Sequence, residues 1–173
     1  MSKKSARRGH KVAKKTVAPA VVNRRASFDY DLSRDIVVGL SLTGAEVRAA
    51  RTGRVHLKGS YVVPKENPTT KKSELFLLNA SFSLTNNVPR GERKDAVTVD
   101  ARSRRILAKR REIDELTAAR AGGLTIIPTK ILTAGRYVKL VIALGKGKKR
   151  YDKRESIKRK DLARENAKFL KRL

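Results

Sequence analysis

The apolar residues that could build a core give out at Gly147. Before it, β-branched and aromatic residues come in short runs broken by Gly, Pro and polar clusters; after it, charge dominates. A segment poor in apolar residues cannot bury enough surface to offset the entropy of ordering its chain. The pattern therefore specifies one small folded body with a polar extension. The other end is similar: residues 1–25 hold nine bases and no acid, and residues 145–173 hold thirteen bases against four acids. Residues 1–22 read as a disordered basic extension, 23–145 as the folded body and 146–173 as a basic tail.

Within the body, Phe28, Tyr30 and Leu32 alternate with Asp29 and Asp31, the period of a half-buried strand. Residues 36–42 are β-branched and read as a second, more buried strand. Thr43-Gly-Ala-Glu46 matches a capping box, so a short helix is expected over 44–52, stopped by Gly53. Residues 57–63 read as a strand ended by Pro64. Residues 74–84 read as one long strand, hairpinned to it across the polar loop 67–73. Residues 86–102 read as a mobile loop with a strand piece at 97–99. Ile106-Leu107 reads as a short strand, and residues 110–121 as a helix ending at Gly122-Gly123. Two β runs, 124–132 and 137–144, are joined by Ala134-Gly135-Arg136 as a tight hairpin.

No β-α-β alternation is present, which disfavours a parallel sheet. The expected class is mainly β with short α: a small closed or nearly closed antiparallel barrel with two or three helices, a class that includes OB-folds. The tail has good helix formers, but Ile157, Leu162, Phe169, Leu170 and Leu173 are too sparse to hold it alone. It is expected to be disordered when free and helical on binding.

A net charge of +27 attracts polyanions, nucleic acid first and an anionic membrane surface second. No cysteine is present, which excludes disulfides, thiolate chemistry and Cys-based zinc sites and fits a reducing cytoplasm. No apolar run approaches the roughly 20 residues that span a bilayer. Gly39-Leu-Ser-Leu-Thr-Gly44 imitates a P-loop, but Ala45-Glu46 stand where the phosphate-gripping lysine and the hydroxyl belong. His10 and His56 lack a ligand cluster, so no metal is expected. Asp152 and Glu155 sit among bases and make poor general acids. The expectation is a protein without catalytic residues, cofactor or small-molecule substrate. Arg102, Arg104, Arg105, Lys109, Arg110 and Arg111 form a basic tract at a strand-to-helix junction, suited to several phosphates. Gly145 and Gly147 read as a flexible joint. Beyond them Lys148, Lys149 and Arg150 can grip phosphate, and Tyr151 offers a ring to stack on an exposed base.

Thr43-Gly-Ala-Glu-Val47 with Arg51-Thr-Gly53, Leu57-Lys-Gly-Ser-Tyr61, Leu77-Leu-Asn-Ala80, Arg111-Glu-Ile113, Gly123-Leu-Thr-Ile-Ile-Pro128 and Gly145-Lys-Gly-Lys-Lys-Arg-Tyr-Asp-Lys-Arg-Glu155 resemble, in order and spacing, the SmpB family of tmRNA-binding proteins. The similarity runs from about Asn23 to Arg159. It implies an OB-like barrel that binds the tRNA-like domain of tmRNA (SsrA RNA), and a role in trans-translation. The pair would enter stalled ribosomes with EF-Tu, which it meets through tmRNA. The tail would occupy the small-subunit decoding site and empty mRNA channel. The expected RNA-binding set is Asn23, Arg24, Arg25, Asn79, Arg102, Arg104, Arg105, Leu107 and Lys109. The expected decoding-centre set is Lys148, Lys149, Arg150, Tyr151, Asp152, Lys153 and Arg154; by resemblance, Asp152, Lys153 and Arg154 act in engaging the ribosome after RNA is bound. The chain departs from the family pattern at Val37, where an acid is usual, at Ser81, at 97–100 and at Lys109. The other reading is a ribosomal protein whose basic extensions thread into rRNA.

Overall fold

Strand alternation and two bulges set the architecture. The computed structural model describes residues 21–85 and 97–149 and, in the tail, Tyr151, Asp152, Arg154, Glu155, Lys158, Asp161, Leu162, Glu165 and Asn166. The elements are β1 (Val21–Val22), α1 (Ala26–Asp29), β2 (Tyr30–Leu40), α2 (Gly44–Arg51), β3 (Val55–His56), β4 (Tyr61–Glu66), β5 (Ser73–Leu78), β6 (Ser81–Thr85), β7 (Val97–Asp100), β8 (Arg104–Leu107), α3 (Arg110–Ala121), β9 (Thr125–Leu132) and β10 (Lys139–Gly147). A seven-stranded sheet runs β1-β9-β10-β2-β8-β5-β4, and β4 returns to β9 through Val62 and Ile126. Every pairing is antiparallel. The expected mainly-β antiparallel barrel is thus present, closed around Val38, Leu40, Val62, Leu75, Leu77, Ile106, Ile126, Leu140 and Ile142, all buried. A small sheet, β3-β6-β7, stands beside it. Helix α2 packs on β6 through buried Ala49 and Ala50.

Several elements differ from their sequence reading. The two strands expected at 28–32 and 36–42 are one strand, β2, and Phe28 lies in α1. Arg34 is the extra residue of a bulge: Ser33 faces Leu144 and Asp35 faces Ala143, with Arg34 between them at φ 24°. The bulge bends the strand without ending its pairing. The single strand expected over 74–84 is two, split at Asn79, whose φ of 56° is one that Asn tolerates better than most residues. One half closes the barrel and the other joins the small sheet. Pro64 does not end its strand. It lies inside β4 opposite Leu75, past the single contact of β4 with β9 at Val62. Past that contact β4 has a neighbour on one side only, and an edge is where a strand accepts Pro. The link between β9 and β10 is the six residues 133–138 rather than a tight hairpin, since Leu132 pairs with Lys139. A second bulge, at Thr129, lets Pro128 sit within β9.

At the two ends of the body, order extends beyond the expected boundaries. Val21 and Val22 pair with Ile131 and Lys130, and β10 continues to Gly147, opposite Tyr30. Gly145 is therefore not a joint. A Cβ on it would lie 2.7 Å from Ile127 Cδ1, 3.1 Å from Tyr30 Cβ and 3.2 Å from Leu32 Cδ2. Gly147 has open space around its Cβ position. Lys148 is then fastened down: its backbone N–H donates to Asp29 O at 3.0 Å and its Nζ to Ser27 O at 2.9 Å. The expectations for residues 1–20 and 86–96 lie outside the described residues.

Gly145→Ala is expected to lower unfolding stability by about 1–3 kcal/mol through overpacking, while Gly147→Ala stays within about 0.5 kcal/mol. Urea denaturation of both variants checks this; equal losses would mean that both glycines serve chain flexibility.

Candidate nucleic-acid interface

Strand β8 carries the expected basic tract, and its alternation divides it. Arg104 and Ile106 point inward, while Arg105 and Leu107 point out. Arg104 has no exposed surface. Its Nε donates to Glu46 Oε1 at 2.8 Å, Nη1 to Ala80 O at 2.9 Å and Arg102 O at 2.8 Å, and Nη2 to Asp100 O at 3.1 Å. Its guanidinium also lies 3.9 Å from the centroid of the Phe82 ring. Nη2 also lies 3.4 Å from Asp100 Oδ2, so Arg104 is engaged inside the protein and offers no surface to phosphate, contrary to the sequence reading.

Its partner Glu46 is the buried third residue of α2. The carboxylate accepts from the Thr43 backbone N–H at 2.7 Å, completing the expected capping box. It also accepts from Arg102 Nε at 2.9 Å and Arg102 Nη2 at 2.6 Å. Burial acts to raise the Glu46 pKa, but the bonds from Arg102 and Thr43 and the charge of Arg104 outweigh it, leaving the carboxyl below its ordinary value. Burial holds Arg104 below the ordinary arginine value, with Glu46 opposing. The bond to Glu46 raises Arg102.

The outward residues of β8 line an open groove of about 500 Å³ between β2, β8 and α3. Its floor is apolar: Leu107 is 53% exposed and Val37 52%. Gly39 pairs with Leu107, and a Cβ there would come within 3.2 Å of Leu107 Cβ. Its rim holds Arg105, bonded to Glu74 at 2.8 Å, and exposed Lys109, whose backbone N–H donates to Glu112 at the start of α3. Exposed Arg111 follows, and Arg110 pairs with Asp114 at 3.1 Å.

The other expected residues lie elsewhere. Asn79 is exposed, and the adjoining Ala80 carbonyl is one of the three that Arg104 binds besides Glu46, so Asn79 and Arg102 are brought near one another around Arg104. Asn23 is half-buried and structural: its backbone N–H donates to Thr129 O at 2.8 Å and its Nδ2 to Pro128 O at 3.0 Å, tying β1 to the β9 bulge. Arg24 and Arg25 are exposed beside it, Arg25 pairing with Asp29 at 3.5 Å. They do not line the β8 groove. In the tail, the described residues are helical and exposed, with Tyr151 74% exposed. Asp152 Oδ2 accepts from the Lys149 N–H at 3.0 Å. Arg150 and Lys153 lie outside the described residues.

The model of the SmpB protein family matches residues 20–172. This chain belongs to the SmpB family. The SsrA-binding protein of Coxiella burnetii (strain Dugway 5J108-111) is 40% identical over 162 residues, covering 93% of this chain and 94% of that protein. The SsrA-binding protein of Chloroflexus aggregans is 37% identical over 164 residues, covering 93% and 98%. Among solved structures, a chain from "tmRNA-SmpB: a journey to the center of the bacterial ribosome" matches with a TM-score of 0.55 and 31% identity, covering 81% of this chain and 95% of that one.

For this member of the SmpB family, the sequence reading named the basic start of α3 but missed Glu74, Glu112 and Ile113 as groove lining, and it noted Val37 only as a departure from the family pattern, not as groove floor. Val37 could have been found from strand alternation, since it lies between inward-pointing Ile36 and Val38. Among the described residues no group of three His, Cys, Asp or Glu is placed to hold a metal, and no helix is long and apolar enough to cross a membrane.

Glu46→Gln leaves Arg104 buried without its carboxylate and is expected to cost about 3–5 kcal/mol in urea unfolding. Arg102→Ala, at a half-exposed pair, costs about 1 kcal/mol. Because the folded Glu46 pKa lies below the unfolded one, its contribution is present above the unfolded carboxyl pKa and is lost as pH falls through the folded value. The acid limb of stability against pH should therefore flatten in Glu46→Gln, and an unchanged limb would remove Glu46 from this role.

Proposed function

We propose that this chain is a tmRNA-binding adaptor of trans-translation, delivering tmRNA to stalled ribosomes. The β8 groove carries this reading. Its exposed apolar floor of Leu107 and Val37 can take the face of an unstacked base or sugar, and Arg105 and Lys109 on the rim can take the phosphates, with exposed Arg111 following in α3. The basic field of the whole chain draws such a polyanion in and makes the affinity salt-dependent. Asn79 and Arg102, brought near one another around Arg104, would add contacts to the same RNA, and Arg24 and Arg25 a further pair. The chemistry is binding alone, without a catalytic step, and the setting is the cytoplasm.

The tail would enter the small-subunit decoding site and the mRNA channel once tmRNA is bound, with EF-Tu reaching the pair through tmRNA. Tyr151 supplies a ring to stack there. Lys149 and Arg154 bring charge to rRNA phosphate, and Asp152 caps the start of the tail helix at Lys149. Free in solution, this helix buries no apolar face among its described residues, so the ribosome would supply most of its stability.

Two measurements test this division. Truncation after Lys149, which keeps the Lys148 anchor, should leave tmRNA affinity within a few-fold and abolish peptide tagging on stalled ribosomes; loss of both to the same degree would sink the separation of body and tail. Leu107→Glu should weaken tmRNA binding by about tenfold or more with thermal stability unchanged, in a filter-binding assay at fixed salt.

A further inference from the structure

A second basic surface adjoins the groove. Helix α2 ends in exposed Arg48 and Arg51. Arg51 Nη2 donates to the carbonyl oxygen of Arg136 at 3.2 Å, tying the helix to the loop 133–138. In that loop the Arg136 guanidinium lies 5.4 Å from the centroid of the Tyr137 ring, and Tyr137 is 68% exposed. Lys139 follows, exposed, at the start of β10. Residues 47–65 and 116–151 contain no acid. Among the described residues none of Arg48, Arg51, Arg136 and Lys139 pairs with a carboxylate.

Sheet register places this surface in line with the groove. Lys139 pairs with Gly39, and Gly39 with Leu107. Residues paired across neighbouring strands share a face, so Lys139 and Leu107 stand on one row about 10 Å apart, two strand spacings. Gly39 between them has no side chain to interrupt the row.

We propose that the RNA track does not end at the groove but continues over Gly39 and Lys139 to a ledge where Tyr137 stacks an unpaired base and Arg48, Arg51 and Arg136 hold its flanking phosphates. A planar ring among unpaired guanidinium groups is the arrangement that binds single-stranded nucleic acid. An anionic membrane could be drawn by the same charge, but the exposed Tyr137 ring among the guanidinium groups favours a ligand with a base to stack. The choice of RNA as the ligand rests on the function proposed above.

The test measures affinity of the full-length protein for the tRNA-like domain of tmRNA at fixed salt. Tyr137→Ala should weaken binding about fivefold or more, and Tyr137→Phe, which keeps the ring, should stay within about twofold. Arg48→Ala with Arg136→Ala should lower the salt slope by about two. Tyr137 is exposed, so its thermal unfolding should be unchanged. If Tyr137→Ala binds like the wild type while Leu107→Glu is weakened, the ledge is overturned and the groove stands. The reverse pattern upholds the ledge and overturns the groove. If Tyr137→Ala instead loses binding to polyglutamate and keeps its RNA affinity, the ledge is a protein-docking surface and the proposal fails.

Discussion

The ion pair between Glu46 and Arg104 governs how the rest of the interface is presented. A guanidinium taken out of water costs several kcal/mol unless its charge and donors are met. Here a carboxylate, three backbone carbonyls and the face of Phe82 meet them. The bonds join α2, the start of β6, the end of β7 and the start of β8 at one point. They also fix which face of β8 turns inward. A strand that slips by one residue exchanges its faces, so Arg104 held inside keeps Leu107 and Arg105 outside. The buried arginine touches no RNA in this arrangement, yet the side chains that would touch it are aimed by its position.

Two glycines complete the presentation by absence. Gly39 lets β2 lie flat against Leu107, and Gly145 admits Ile127, Tyr30 and Leu32 around β10. Packing at Gly145 carries the order of the body to Gly147, and the two bonds of Lys148 to α1 carry it one residue further. The tail therefore leaves from a fixed root. A fixed root would matter for the proposed adaptor, because it would limit where the tail can reach while the barrel holds RNA.

Local chemistry made part of this legible in the sequence. Thr43 and Glu46 form the capping box that their spacing indicates, Gly53 stops α2 with its positive φ, and α3 ends at Gly122-Gly123. The hairpin of β4 and β5 follows from the polar residues between them. Arg34, by contrast, carries no sequence mark of a bulge, since the offset is set by the pairing of β2 with β10. Asn79 lies in a continuous β-favouring run, and only its placement between two sheets turns it into a break. Pro64 looked like a terminator because the sequence does not say which side of β4 lacks a neighbour. In the site, a dense basic tract was visible, but the burial of Arg104 was not. Its partner Glu46 lies 58 residues earlier, and nothing local distinguishes Arg104 from Arg102 or Arg105.

By itself, then, the sequence determined the properties that depend on nearest neighbours and totals. These are the mainly-β class with short helices, the ends of α2 and α3, the basic field, the exhaustion of apolar residues after Gly147, and the family. Tertiary structure decided which cation is buried, which apolar residues stay exposed as groove floor, where the body ends and how Lys139 comes into line with Leu107. Those outcomes depend on strand register and on partners far apart in the chain. A residue's own identity fixes its charge and local backbone preference, whereas its surroundings are fixed only when distant segments close the barrel around it.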